Sequence, residues 1–100
     1  MTSEEVAREP WVQHLAAPFP RELYDHEHGG YDLVRLDADI AGCASCAFTR
    51  GSLDPTRVEL LRYCGPIARS AALVFPPGES RAYLSRLADL AQFVLAACSA

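Results

Sequence analysis

The chain has 100 residues, of which 50% are hydrophobic and 22% are charged, and its formal net charge is −4. This length suits one domain with a single core, and the hydrophobic share excludes a disordered chain. All basic residues other than histidine are arginines. The acidic balance argues against nucleic-acid binding, because phosphates need a basic surface.

The acidic charge is concentrated near the start of the chain. Residues 1–32 carry seven acidic residues and two arginines, whereas residues 33–100 carry six and seven. The first ten residues lack the positive start and apolar run of a secretory signal. No apolar stretch approaches the roughly 18 residues that a membrane span needs. We therefore expect a cytoplasmic protein without a membrane segment, whose four cysteines are reduced thiols.

Residues 1–31 have no sustained hydrophobic period and are predicted to form an irregular N-terminal arm. A short helix is possible over residues 4–15, although a proline lies inside that range. Further prolines after it break the chain. We expect the arm to wrap over a helical body of residues 32–100, with Trp11 and Phe19 as its apolar anchors.

Residues 32–49 carry the clearest helical pattern. Apolar side chains recur at intervals of three and four residues, which draws one stripe along a helix. Asp32 is suited to cap the start of this helix, and Gly51 to end it. A strand is disfavoured because the small residues of the second half have little β-propensity. The stripe consists of Leu33, Leu36, Ile40, Cys43 and Ala47.

Two more helices follow. Asp54-Pro55 is a strong helix start, with Asp as the cap and Pro in the first turn, and this helix is predicted to reach about Leu73. Gly65-Pro66 is expected to kink or split it. The last helix begins at Glu79 or Ser80 and runs nearly to the end of the chain. Three helices with short connections predict an all-α antiparallel three-helix bundle. The alternative is an α+β fold with a short strand at residues 71–75.

Two pairs of side chains have the chemistry of a metal or thiol site. Cys43 and Cys46 have the C-x-x-C spacing, which suits metal binding or disulfide exchange. His26 and His28 lie in a polar turn region, residues 24–30, and would point the same way in an extended chain. Together the four side chains would make a zinc site. The competing interpretation is that Cys43 is a small buried hydrophobe on the apolar stripe and that the histidines lie in a solvated turn.

Asp37 and Asp39 lie on the first predicted helix. Their separation places them about 200° apart around the axis, so they cannot act as an acid–base pair. Asp39 is expected to pair with Arg35 one turn earlier. Asp37 borders the apolar stripe, and a partly buried carboxylate needs a partner. An arginine from another helix or from the arm is the expected partner.

No catalytic motif is present: the sequence lacks a phosphate-binding loop, a nucleophile elbow and an H-E-x-x-H helix. We therefore expect a non-enzymatic module that binds a partner protein or a second copy of itself. Apolar residues beside the inner stripes are candidates for that contact. They are Val34, Phe48, Leu60 and Leu95.

Overall fold

The structure is a computed structural model that describes residues 11–98. Within this range the chain forms a bundle of three long helices. An N-terminal arm with short helical and strand segments precedes the bundle. The helices of the bundle are α2, α3 and α4, with bounds Leu33–Arg50, Pro55–Ala72 and Glu79–Cys98. The predicted three-helix fold is therefore confirmed.

The N-terminal arm contains four short elements. Residues 11–16 form the helix α1, which covers the end of the predicted helix 4–15; the rest of that prediction lies outside the described residues. Next come a 3₁₀ turn, Arg21–Leu23, and the antiparallel strands β1, Glu27–His28, and β2, Tyr31–Asp32. The hairpin was not predicted.

The hairpin depends on the two glycines between its strands. Gly29 and Gly30 have φ values of 60° and 76°, in the left-handed region that glycine adopts without steric cost. A two-residue loop with positive φ at both positions matches the twist of the flanking strands. The turn therefore directs β2 straight into α2, whose first helical residue, Leu33, follows Asp32.

The ends of α2 follow the predicted capping. The Asp32 carboxylate accepts hydrogen bonds from the backbone N–H groups of Val34 at 2.8 Å and Arg35 at 3.2 Å. At the other end Gly51 adopts φ 76°, and its N–H donates to the carbonyl of Ala47 at 2.8 Å. The Asp32 carboxylate and the Gly51 N–H thus form hydrogen bonds with backbone atoms that a helix end otherwise leaves unpaired.

Gly65-Pro66 was predicted to kink or split α3, and the helix is not split there but continuous. It starts as expected, with the Asp54 carboxylate accepting from the Arg57 N–H at 2.8 Å. Pro66 lies on the exposed side, so water can solvate the carbonyl that proline leaves without a donor. The alternative strand at residues 71–75 does not form, because residues 71–72 end the helix and residues 73–75 form turns.

The most extensive contact between elements joins α3 to α4. It is lined with small residues, which let two helix backbones approach closely. A Cβ atom on Gly65 would lie 3.4 Å from the Cβ of Ala91, in van der Waals contact, so the helices approach closely at this position. Aliphatic side chains from all three helices fill the space between them. The largest fully buried side chains are Leu23, Leu33, Leu36, Ile40, Leu61, Cys64, Leu84, Leu87, Leu90 and Val94.

None of the helices in residues 11–98 combines the length and apolarity needed to cross a bilayer.

Replacing Gly65 with leucine is expected to destabilise the protein by about 1–3 kcal/mol, because the added side chain overpacks the α3–α4 contact. Denaturant unfolding measures this change. The matched control is Gly42→Ala in α2, where a Cβ meets nothing within 4 Å. This control should gain about 0.5–1 kcal/mol, since alanine favours a helix over glycine. Equal stability of the wild-type and Gly65→Leu proteins would contradict the close approach.

Candidate functional site

A polar cluster joins the arm to the bundle. Asp37 of α2 receives two side chains on the same carboxylate oxygen, Oδ1. The Nε2 atom of His14, in α1, lies 2.9 Å from it, and the Tyr83 hydroxyl, in α4, donates to it at 2.7 Å. Three elements that are distant in sequence therefore meet at one oxygen atom.

Both donors of this cluster are buried. His14 is 6% exposed and Tyr83 is 3% exposed, whereas the Asp37 side chain keeps 22% of its surface accessible. Burial raises the pKa of Tyr83, and the hydrogen bond to the Asp37 carboxylate raises it further. Tyr83 is therefore neutral and donates its proton to Asp37.

The geometry of the cluster assigns the role of His14. Because the Asp37 oxygen is an acceptor, the neighbouring Nε2 of His14 carries a hydrogen. The other ring nitrogen, Nδ1, is buried and has no hydrogen-bond partner among residues 11–98. Asp37, His14 and Tyr83 thus form a polar contact that fastens α1 to α2 and α4.

Aromatic rings surround the cluster and hold the arm. The Trp11 ring lies 6.4 Å from His14 and 6.1 Å from Phe48 of α2, and it is stacked on both. Phe19 meets Tyr83 edge to face at 5.4 Å. Trp11 and Phe19 are both partly buried against the core. The prediction that these two residues anchor the arm is confirmed.

The prediction of an arginine as the partner of Asp37 was wrong. An arginine was expected, and the structure provides a histidine from the arm and a tyrosine from α4. The sequence gives little signal for His14, which lies in a segment without a sustained hydrophobic period. Tyr83 occupies a buried position of its helix. Its hydroxyl was the available signal, since a buried tyrosine usually finds a hydrogen-bond partner.

Asp39 makes a second contact of the same kind. Its Oδ2 atom accepts a short hydrogen bond from the Tyr31 hydroxyl of β2. The predicted pairing with Arg35 is also present, at 3.7 Å. Burial raises the pKa of Tyr31, as do its side-chain hydrogen bonds with Asp39 and Cys64. Asp39 therefore ties the hairpin to α2, as Asp37 ties α1.

The residues of the predicted zinc site divide into two groups. The Nε2 atom of His28 lies 2.8 Å from the Ser70 hydroxyl, near the end of α3. Cys43 points at the beginning of α3, with Sγ 3.9 Å from the carbonyl oxygen of Arg57. Ser70 and Arg57 are separated by thirteen residues, or about 20 Å along a helix axis.

His26 and Cys46, the other two residues of the predicted zinc site, are likewise separated. His26 packs edge to face against Phe75 at 5.6 Å, and Cys46 lies one turn beyond Cys43. No group of three or more His, Cys, Asp or Glu side chains in residues 11–98 has a metal-binding arrangement. The structure therefore does not assemble the four predicted ligands. Zinc binding remains a prediction that metal analysis would test.

The four apolar residues predicted for partner contact lie in different environments. Val34 is exposed on the first turn of α2. Phe48, Leu60 and Leu95 are partly buried and pack against the core. More exposed apolar side chains occur elsewhere in the described residues: Val12 and Leu15 in α1, and Leu73 and Val74 after α3.

Two open grooves follow α4. The first, of about 390 Å³, lies between α1 and α4. The second, of about 410 Å³, lies between α3 and α4. Gln92 borders both grooves. The first is lined by Gln13, Arg86, Asp89, Gln92, Phe93 and Ala96.

Comparison with known proteins gives no family: no protein-family model, no curated protein and no solved structure matches the chain. The function must therefore be argued from the geometry of the described residues.

Substituting Asp37 with alanine should destabilise the protein by about 2 kcal/mol, because it leaves buried His14 and Tyr83 without their acceptor. Trp11 is the only tryptophan, so release of the arm should shift its fluorescence to longer wavelength. The control is Asp89→Ala, which removes an exposed ion pair with Arg69. Such a pair contributes about 0–1 kcal/mol. Unchanged stability and emission of the Asp37→Ala protein would contradict the role of the cluster.

Tyr83 also predicts a dependence of stability on alkaline pH. Unfolded tyrosine ionises near pH 10, whereas the folded group has a raised pKa. Above about pH 10 the unfolded chain therefore binds fewer protons, and stability falls as pH rises, by up to about 1.4 kcal/mol per pH unit for this group. Denaturant unfolding between about pH 9 and 11 should give a shallower decline for Tyr83→Phe. An unchanged slope would contradict the raised pKa.

Proposed function

We propose that the protein is a non-enzymatic helical interaction module, which binds protein through α1 and the adjoining face of α4. The observation that carries this proposal is the orientation of α1. This helix buries its histidine and exposes its aliphatic side chains: His14 is 6% exposed, whereas Val12 is 59% and Leu15 is 64% exposed.

This orientation leaves two aliphatic side chains in water, although Trp11 of the same helix packs against the core. A surface helix normally turns its apolar residues to the core and its polar residues to water. Exposing a valine and a leucine forgoes roughly 1.5–3 kcal/mol for each side chain. A surface with such exposed side chains is typical of a contact with another macromolecule. Covering Val12 and Leu15 would recover that free energy.

The neighbouring groove favours a second copy of the chain as the partner. α1 presents Val12 and Leu15 as an apolar ridge, and Gln13 of the same helix borders the groove toward α4. Phe93 contributes an exposed ring to the groove. The groove thus adjoins the helix that carries the ridge. A two-fold dimer requires such a self-complementary surface, in which the ridge of each copy can enter the groove of the other.

The charges beside the groove are consistent with the same arrangement. Arg86 and Asp89 both line it, so the face carries both signs. A two-fold axis can bring the arginine of one copy to the aspartate of the other. Such exposed charges select the orientation more than they add affinity. We favour a non-enzymatic module because both grooves along α4 are open and the His14 and Tyr83 side chains of the cluster at Asp37 are buried.

Light scattering after size-exclusion chromatography, over a range of protein concentrations, tests the proposal. The wild-type protein should pass from monomer to dimer as concentration rises. The double variant Val12→Ser/Leu15→Ser should dimerise at least tenfold more weakly, since a tenfold change corresponds to about 1.4 kcal/mol. That is less than the transfer free energy of one buried leucine.

The matched control is Leu73→Ser/Val74→Ser. These residues are as exposed, at 67% and 64%, but lie after α3, outside the proposed face. The control should dimerise like the wild-type protein. A wild-type protein that is monomeric at every concentration would refute self-association. Loss of the dimer in the control alone would place the interface elsewhere.

A further inference from the structure

Cys46 lies in a depression at the junction of α2 and α3. The depression has a volume of about 210 Å³ and opens to solvent. Cys46 itself is partly exposed, unlike Cys43 and Cys64, which are buried. The walls come from the last turn of α2, the loop and the first turn of α3. The lining residues are Cys46, Arg50, Ser52, Leu53, Asp54 and Arg57.

The charges in this depression are mainly positive. Its walls include two guanidinium groups, Arg50 and Arg57, and one carboxylate, Asp54. Asp54 pairs with Arg57, with Oδ2 2.5 Å from Nη1, which leaves the charge of Arg50 without an equal negative charge in the depression. Basic side chains next to an accessible thiol favour its reaction as a nucleophile.

A second thiol lies one helical turn away. Cys43 is 2% exposed, and its Sγ lies 3.9 Å from the Arg57 carbonyl oxygen. Arg57 also lines the depression of Cys46, so both thiols neighbour the same residue of α3. Burial raises the pKa of Cys43, so this thiol stays protonated and the partly exposed Cys46 is the first to meet a reagent.

We propose that Cys46 is a peroxide-sensitive modification site and that Cys43 is its resolving thiol. The Cys46 sulfur attacks one oxygen of hydrogen peroxide, the O–O bond breaks, and Cys46 sulfenic acid and water form. The Cys43 sulfur then attacks the Cys46 sulfur and displaces its hydroxyl group. That group leaves as water with the Cys43 proton. In total, two thiols lose two electrons and two protons, and peroxide is reduced to two molecules of water.

Helix α2 must distort locally for a disulfide between Cys43 and Cys46 to form. Residues three apart on a helix have Cβ atoms about 5–6 Å apart, whereas a disulfide needs about 3.5–4.5 Å. The end of α2 is suited to this change, because Gly51 ends the helix one turn beyond Cys46. We therefore expect the disulfide to be strained and readily reduced.

Mass spectrometry of the intact, reduced, full-length protein tests the proposal. After treatment with hydrogen peroxide the wild-type chain should lose the mass of two hydrogen atoms, and peptide mapping should join Cys43 to Cys46. Dithiothreitol should reverse the change. The Cys43→Ala variant should instead accumulate Cys46 sulfenic acid, which dimedone traps. The Cys46→Ser variant should form neither product.

Cys98→Ser is the matched control. Cys98 is also partly exposed but does not line the depression, so this variant should oxidise as the wild type does. Oxidation of Cys98 before Cys46 would overturn the proposal. So would a disulfide that joins any other pair, or four thiols that remain reduced at peroxide concentrations that oxidise free cysteine. None of these results depends on whether the protein dimerises.

Discussion

The arm and the bundle meet at the carboxylate of Asp37. This group is the common acceptor of His14 from α1 and Tyr83 from α4. Its partners are buried, so each depends on it: without the acceptor, the imidazole and the hydroxyl would keep only their 3.4 Å contact with each other, and losing a buried partner costs about 1–3 kcal/mol. The stacked rings of Trp11 and Phe48 lie beside this contact, and their packing depends on the arm being in place.

Helix α2 contacts the neighbouring elements through two aspartates that lie on different sides of the helix. Asp37 holds α1 and α4, and Asp39 holds the hairpin through Tyr31. Their separation of about 200° around the axis explains this division of contacts. Asp37 fastens two neighbours on one side of the helix, and Asp39 fastens one on another. The α3–α4 contact, in contrast, combines small residues such as Gly65 with an exposed ion pair between Arg69 and Asp89.

Local chemistry predicted the helices well. The caps Asp32, Gly51 and Asp54 act through nearby backbone atoms, so their roles can be read from adjacent residues. The aromatic anchors of the arm were also predictable, because large apolar side chains in a polar segment need cover. The partner of Asp37 was not predictable in its type. His14 and Tyr83 are 69 residues apart in sequence, and neither local spacing nor periodicity shows which distant groups will share an oxygen.

The buried histidine and the exposed aliphatic residues of α1 have one physical cause. Once Asp37 binds Nε2 of His14, the rotation of the short helix about its axis is set, and Val12 and Leu15 must face away from the bundle. A polar contact in the interior thus determines which apolar side chains remain at the surface. A helix free to rotate would bury its valine and leucine and expose its histidine. Any partner that covers Val12 and Leu15 therefore acts on the same element as Asp37, and binding on the outer face would stabilise the inner contact through the linkage between folding and binding.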